Sequence, residues 1–180
     1  MQRRKLKNDE LGRLPVEAFR RSEKSPVILV LDDVRSLNNV GSVFRTADAF
    51  RVEKIYLCGI TGTPPHKDIR KTALGACESV AWEYAEDVNS LVERLKSEGV
   101  VVVSVEQAEG SVSLTDFRID GGKKTAFVFG NEVKGVHQEV VNRSDVCVEI
   151  PQYGTKHSFN ISVSVGIVLW DAINKLKWRG

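Results

Sequence analysis

The chain has 180 residues, 42% hydrophobic and 28% charged, with a formal net charge of +2. That size suits a single domain with its own core. With no apolar run near about 20 residues, no membrane-spanning helix is expected.

The charge is unevenly spread. Residues 1–26 hold eight Lys/Arg against four acids, whereas residues 27–180 hold 18 against 20. A basic arm (1–26) on a near-neutral domain (27–180) fits an anionic partner such as nucleic acid, or is a solvated tail. The leading MQRRKLKNDELGRL lacks the apolar core of a signal peptide. Cys58, Cys77 and Cys147 are widely spaced, and His66, His137 and His157 stand at no metal-ligand spacing to them. A cytoplasmic protein with reduced, buried thiols and no metal site is expected.

In chain order, residues 9–24 predict a short helix after Pro15, with Leu14, Ala18 and Phe19 as a thin apolar face, stopped at Ser25-Pro26. VILVL (27–31) is a continuous apolar run of the kind found in parallel strands covered on both faces. Similar runs follow at 54–59, 79–84, 100–105, 125–130 and 146–150. Helical patterns lie between them at Val40–Phe50, Asp87–Ser97 and Gln138–Asn142, and a last helix is marked by Ile161, Val165, Val168, Leu169, Ala172, Ile173 and Leu176. This alternation predicts an α/β fold with a parallel sheet and helices on both sides. Ligands in such sheets bind beyond the carboxyl ends of the strands. GxGxxG and GxxxxGK[ST] are both absent, which disfavours an ordinary dinucleotide or nucleoside triphosphate site.

Three segments carry the unusual residues. In NNVGSVFRTADA (38–49), Asn39 is placed as a helix N-cap, and Gly41 admits another chain or a ligand to the backbone. Arg45 lies off the apolar stripe, as a surface arginine paired with Asp48 or Asp32 or as a cation aimed at a ligand. In FGNEVKGV (129–136), glycines flank Glu132, whose carboxylate either caps loop amides or faces a hydroxyl or cation. In IPQYGTKHSFNISVSVGI (150–167), a strand breaks at Pro151, crosses a loop and enters a helix, so Ser158 and Asn160 are either helix caps or ligand contacts.

In order and spacing these segments resemble the three motifs of the SpoU (TrmH-type) RNA ribose 2′-O-methyltransferases, of the SPOUT superfamily. The similarity spans about residues 27–175, with weaker echoes at KTALGACESV (71–80) and VEQAEGS (105–111). Gln152 and Phe159 depart from the residues usual there.

The resemblance implies a C-terminal deep trefoil knot, a homodimer, and S-adenosylmethionine held by Phe129, Gly130, Asn131, Glu132, Ile150, Gln152, Gly154, Ser158, Phe159 and Asn160. It implies that Arg45 reaches the methyl group bound by the other subunit, with Asn39, Glu132, Ser158 and Asn160 positioning the ribose hydroxyl. Ser162 and Gly166 would offer a small-residue stripe to the partner. Lys5, Arg35, Lys67, Arg70, Lys71 and Lys156 are candidates for RNA phosphates. The short arm offers no separate RNA-binding domain, so tRNA is preferred over rRNA as substrate. The alternatives are a base methyltransferase of the same superfamily, an inactive RNA-binding protein, and a flavodoxin-like binding module.

Overall fold

The computed structural model describes residues 3–178. Residues 1–2 of the expected arm and 179–180 of the expected domain lie outside the described residues. Seven parallel strands form one sheet: β1 (Ser25–Asp32), β2 (Val52–Cys58), β3 (Trp82–Ala85), β4 (Val101–Val105), β5 (Val112–Ser113), β6 (Thr125–Phe129) and β7 (Val146–Glu149). Their spatial order is β3-β2-β1-β6-β4-β7-β5. The connecting helices are α1 (Val16–Arg21), α2 (Leu37–Ala49), α3 (Lys67–Ala73), α4 (Ala76–Ser79), α5 (Val88–Ser97), α6 (Gln138–Arg143) and α7 (Ile161–Leu176).

The continuous apolar run of β1 is explained by its two neighbours above and below. Val27, Leu29 and Leu31 point to one face, where they pack with Val40, Phe44, Val165 and Leu169 of α2 and α7. Ile28 and Val30 point to the other, with Leu91 and Leu95 of α5 and Val140 of α6. Alternate residues thus feed opposite cores, and no position from Val27 to Leu31 is left for a polar side chain; Ser25 and Asp32 stand at the two ends. Pro26 is tolerated near the start of the strand, where a missing N–H costs least.

The strand register aligns the carboxyl ends that matter. Leu31 pairs with Phe129, and Val105 with Val148. The loops leaving β4, β6 and β7 therefore emerge at one edge of the sheet.

Several expectations are corrected. The helix expected over 9–24 is α1 alone, preceded by a 3-10 turn at Asn8–Leu11 that ends in a left-handed Gly12 at φ 61°. Only Phe19 of its expected apolar face is buried, while Leu14 and Ala18 are exposed. The strand expected over 79–84 starts at Trp82, because Ser79 closes α4 with its Oγ donating to the Ala76 carbonyl at 3.1 Å. Helices α3 and α4 and the two-residue β5 were not foreseen, being too short for a period to show. What Gly41 admits to the backbone is α3 of the same chain: a Cβ on it would lie 2.2 Å from the Ile69 carbonyl oxygen, so it sets the close crossing of α2 and α3. Of the three thiols, all free, only Cys58 is fully buried.

Candidate functional site

The loops after β4, β6 and β7 enclose a cleft of about 500 Å³ beyond the carboxyl ends of those strands. Open parallel sheets place ligands there, and the volume lies within the range of small-molecule sites.

The loop after β6 is a closed turn. Asn131 and Gly135 exchange backbone hydrogen bonds of 3.0 and 2.9 Å. The Asn131 carboxamide oxygen accepts the N–H groups of Val133 (2.9 Å) and Lys134 (3.0 Å), and its Nδ2 donates to the Asp33 carbonyl at 2.8 Å. Gly130 is needed here, since a Cβ would stand 2.0 Å from the Gly135 carbonyl carbon. The turn thus presents Glu132 back toward the loop between β1 and α2.

There the Glu132 carboxylate accepts the N–H groups of Arg35 and Ser36, each at 2.9 Å, and Asn39 Nδ2 at 3.2 Å. Burial pushes this carboxyl upward, but the amide donors outweigh it and hold it below the usual carboxylate range. Asn39 is not the N-cap of α2. That position is Ser36, whose Oγ accepts the Asn39 N–H at 3.3 Å, which leaves the Asn39 side chain free to bridge. Asn39 Oδ1 in turn accepts from Asn160 Nδ2 at 3.1 Å. Asn160 caps α7, its Oδ1 accepting the Ser162 N–H at 2.9 Å and the Ser162 hydroxyl at 2.7 Å. One hydrogen-bonded chain, Glu132–Asn39–Asn160, thereby ties together three segments far apart in sequence.

Phe129, Gly130, Asn131, Glu132, Ile150, Gln152, Ser158, Phe159 and Asn160 all line the cleft. Gly154 does not: it sits exposed in a loop that bows outward beside the 96% exposed Tyr153, with nothing within 4 Å of a Cβ built on it. Ser158 is exposed at the cleft, and its hydroxyl makes no hydrogen bond among the described residues. The polar lining also includes Glu106, Gln107, Lys134, Glu149, His157 and Ser164, none of which the sequence singled out as a site residue. Glu106 accepts the Val136 N–H at 2.9 Å, and Gln107 Nε2 donates to the His157 carbonyl at 2.6 Å, so the loop after β4 is fastened across the cleft. The segment VEQAEGS was the available signal for both.

Arg45 is not in this cleft. It is exposed on α2 and lines a separate cleft of about 580 Å³ with Arg13, Asp48, Arg51 and Leu74. Neither expected carboxylate pairs with it. Asp48 is engaged by the Ser79 hydroxyl. Asp32, buried under the sheet edge, meets His137 Nδ1 at 2.8 Å, and burial raises its pKa against that hydrogen bonding. Among the described residues no hydrogen bond or ion pair engages Arg45. Asp32, Asp33 and His137 bring their ligand atoms within 4.8 Å of one another, the geometry of a possible metal set, but Asp32 and His137 already satisfy each other.

The candidate RNA contacts Arg35, Lys67, Arg70, Lys71 and Lys156 are all exposed, with Lys67, Arg70 and Lys71 grouped on α3. Lys5 is exposed ahead of the 3-10 turn. No helix among the described residues is long and apolar enough to cross a membrane.

A parallel sheet with a polar cleft beyond the carboxyl ends of its strands, closed by a glycine turn and a capped helix, defines an α/β protein with a small-molecule site. The particular family follows from comparison. The model of the SpoU rRNA methylase family matches residues 26–170, and the chain belongs to that family. It is 31% identical to a tRNA (guanosine(18)-2′-O)-methyltransferase of Aquifex aeolicus, covering 86% of this chain and 72% of the relative. It is 29% identical to the 23S rRNA (guanosine-2′-O-)-methyltransferase RlmB of Pseudomonas aeruginosa, covering 88% of this chain and 63% of that protein. The crystal structure of an AdoMet-bound rRNA methyltransferase from Sinorhizobium meliloti superposes with a TM-score of 0.78 at 28% identity, over 92% of this chain and 62% of that one. The chain thus spans roughly two thirds of the relatives it matches.

Proposed function

We propose that the chain is an S-adenosylmethionine-dependent RNA methyltransferase acting on a ribose 2′-hydroxyl, with tRNA preferred over rRNA. The observation that carries this reading is the Glu132–Asn39–Asn160 chain of hydrogen bonds, which joins the three family segments at the rim of one cleft. The donor set fits the cofactor: Glu106, Glu132 and Glu149 line the cleft and suit a cationic ligand, and the volume accommodates a nucleoside. When bound, S-adenosylmethionine supplies a methyl group activated by its sulfonium.

The side chains divide by what they have left to offer. The carboxylate of Glu132 is committed to three donors, and the amides of Asn39 and Asn160 are committed to each other and to the first turn of α7. All three are positioning residues that hold the cleft loops in register. The uncommitted Ser158 hydroxyl is the group available to meet the target ribose. Phe129, Gly130, Asn131, Ile150, Gln152 and Phe159 hold the cofactor, while Gly154 drops out of that set. Arg45 keeps its proton at any ordinary pH, so it acts as a cation that grips the neighbouring phosphate and stabilises the developing alkoxide.

The functional unit is a homodimer in which Arg45 serves the cleft of the other subunit. Support comes from the apolar surface left on α7, where Val163 is 48% and Trp170 64% exposed, beside Gly166 and Tyr153. A C-terminal trefoil knot is supported by the placement of β7 between β4 and β5, both earlier in the chain. Residues 1–26 act as an RNA-facing arm on the catalytic domain of residues 27–180. Three free thiols support a cytoplasmic setting.

The test is transfer of labelled methyl from S-adenosylmethionine to bulk tRNA and rRNA, followed by nucleoside analysis. A 2′-O-methylnucleoside is expected. Label on a base would select a base methyltransferase, and cofactor binding without transfer to any RNA would select a binding protein.

A further inference from the structure

The cleft around Arg45 has a wall that lies ahead of the family match at residues 26–170. Gly12, Arg13, Leu14 and Val16 of the N-terminal segment face Ala73, Leu74 and Gly75 at the turn between α3 and α4 across about 580 Å³. This segment is fastened to the domain rather than trailing from it. Phe19 is 7% exposed within the main core, and Arg20 Nε donates to the Glu78 carbonyl at 2.8 Å. The two walls differ from ordinary surface in what they expose. Leu14 and Leu74 are 42% and 67% exposed, and Leu74 is held at φ 50°, a left-handed position usually given to glycine or asparagine. Arg13, like Arg45, makes no ion pair or hydrogen bond among the described residues. Arg51 completes three guanidinium groups on the lining against the two carboxylates of Asp48 and Glu78, the former already engaged by Ser79. Arg70 and Lys71 stand exposed in the last turn of α3, the helix that ends at Ala73 on this lining.

Resting on the methyltransferase reading, we propose that this cleft binds a nucleotide of the RNA next to the methylated one. Leu14 and Leu74 take the faces of its base, while Arg13 and Arg45 hold the phosphates on either side. Unstacked RNA bases pack against apolar side chains and guanidinium planes, and planar guanidinium groups pair phosphates in bidentate fashion. Exposed leucines alone would suit a second copy of this chain. The unpaired arginines between them favour an anionic ligand instead. The basic N-terminal segment is then a wall of the substrate site, and it supplies part of the RNA affinity.

The test compares Leu74→Asn and Arg13→Ala with the intact chain. Asparagine accepts the left-handed backbone more readily than leucine, so Leu74→Asn should fold normally. Affinity for bulk tRNA, read by fluorescence anisotropy, is expected to fall roughly five- to tenfold in each variant, and the salt slope of Arg13→Ala to shrink by about one. Cofactor affinity should not move. Wild-type tRNA affinity in both variants overturns the proposal, as does a loss that tracks a change in sedimentation, which would assign the cleft to a second copy. The two readings separate cleanly. If the intact chain methylates RNA and the variants keep its KM, this inference alone fails. If tRNA affinity drops as expected but no methyl is transferred by the intact chain, the enzymatic reading alone fails.

Discussion

Glu132→Gln isolates the contribution of one charge to the architecture of the cleft. Glutamine has nearly the same shape but offers one acceptor oxygen in place of two. Its NH2 group must face one of the donors that Glu132 now satisfies, the N–H of Arg35 or Ser36. One backbone hydrogen bond is therefore lost outright, and the remaining ones lose their charge assistance. Glu132 is exposed, so water relieves part of the deficit, and the lower half of the usual range applies. The cost comes to about 1–2 kcal/mol. For a domain of this size that lowers the melting temperature by roughly 3–6 °C near neutral pH.

The pH dependence supplies a sharper check. The Glu132 carboxyl is held below its ordinary value, so its contribution is present above the unfolded-state pKa and is lost as pH falls through the folded one. Denaturant midpoints of the two proteins should differ fully above about pH 5, the top of the ordinary carboxylate range, and converge as pH falls through the lowered folded-state pKa. An undiminished gap in acid would refute the charge argument, and no gap at neutral pH would remove Glu132 from the structural role given to it.

Gly130→Ala should be more damaging than its size suggests, because the obstructing atoms are backbone and cannot rotate away. A loss of about 1–3 kcal/mol or more and abolished S-adenosylmethionine binding are expected by thermal melting and calorimetry; wild-type cofactor affinity would contradict the account of the turn. Mixing inactive Arg45→Ala with inactive Ser158→Ala should restore about a quarter of the activity, since half of the dimers are mixed and each keeps one intact site. No recovery on mixing would mean that Arg45 serves its own subunit. Cys58, its thiol pushed up to about 12 chiefly by burial, should resist alkylation in the folded protein at about pH 8 and react once urea is added.

The sheet was legible in the sequence because its cause is local. A strand buried on both faces must be apolar at every position, and VILVL, KIYLCG and TAFVFG each announce this without reference to the rest of the chain. Helices α2, α5 and α7 carry enough turns for an apolar stripe to repeat, whereas α3, α4 and β5 do not. The motif residues were legible as a set, but their roles were not. The sequence placed Asn39 at the start of a helix, and whether it or Ser36 caps that helix depends on the Glu132 turn arriving from 93 residues away. Gln107 escaped notice for the same reason, as its partner is a backbone carbonyl 50 residues on, in a loop with no periodicity.

Helix α2 explains why the site is divided between two clefts. Asn39 and Arg45 are six residues apart on it, which at about 100° and 1.5 Å per residue leaves them roughly 120° apart around the axis and 9 Å apart along it. Asn39 faces the cleft of its own subunit, where Glu132 and Asn160 hold it. Arg45 must then point elsewhere, and it opens onto the cleft of the N-terminal segment, where no ion pair or hydrogen bond engages it among the described residues. A single subunit therefore offers a place for the methyl donor on one side of α2 and a free cation for the RNA on the other. On the proposed function, joining the two takes a second molecule against this helix and α7, where Trp170 stands edge-on to Phe50 with 64% of its surface exposed. In that proposed dimer α2 is a shared wall, positioning its own cleft with its first turn and reaching its neighbour's with its third.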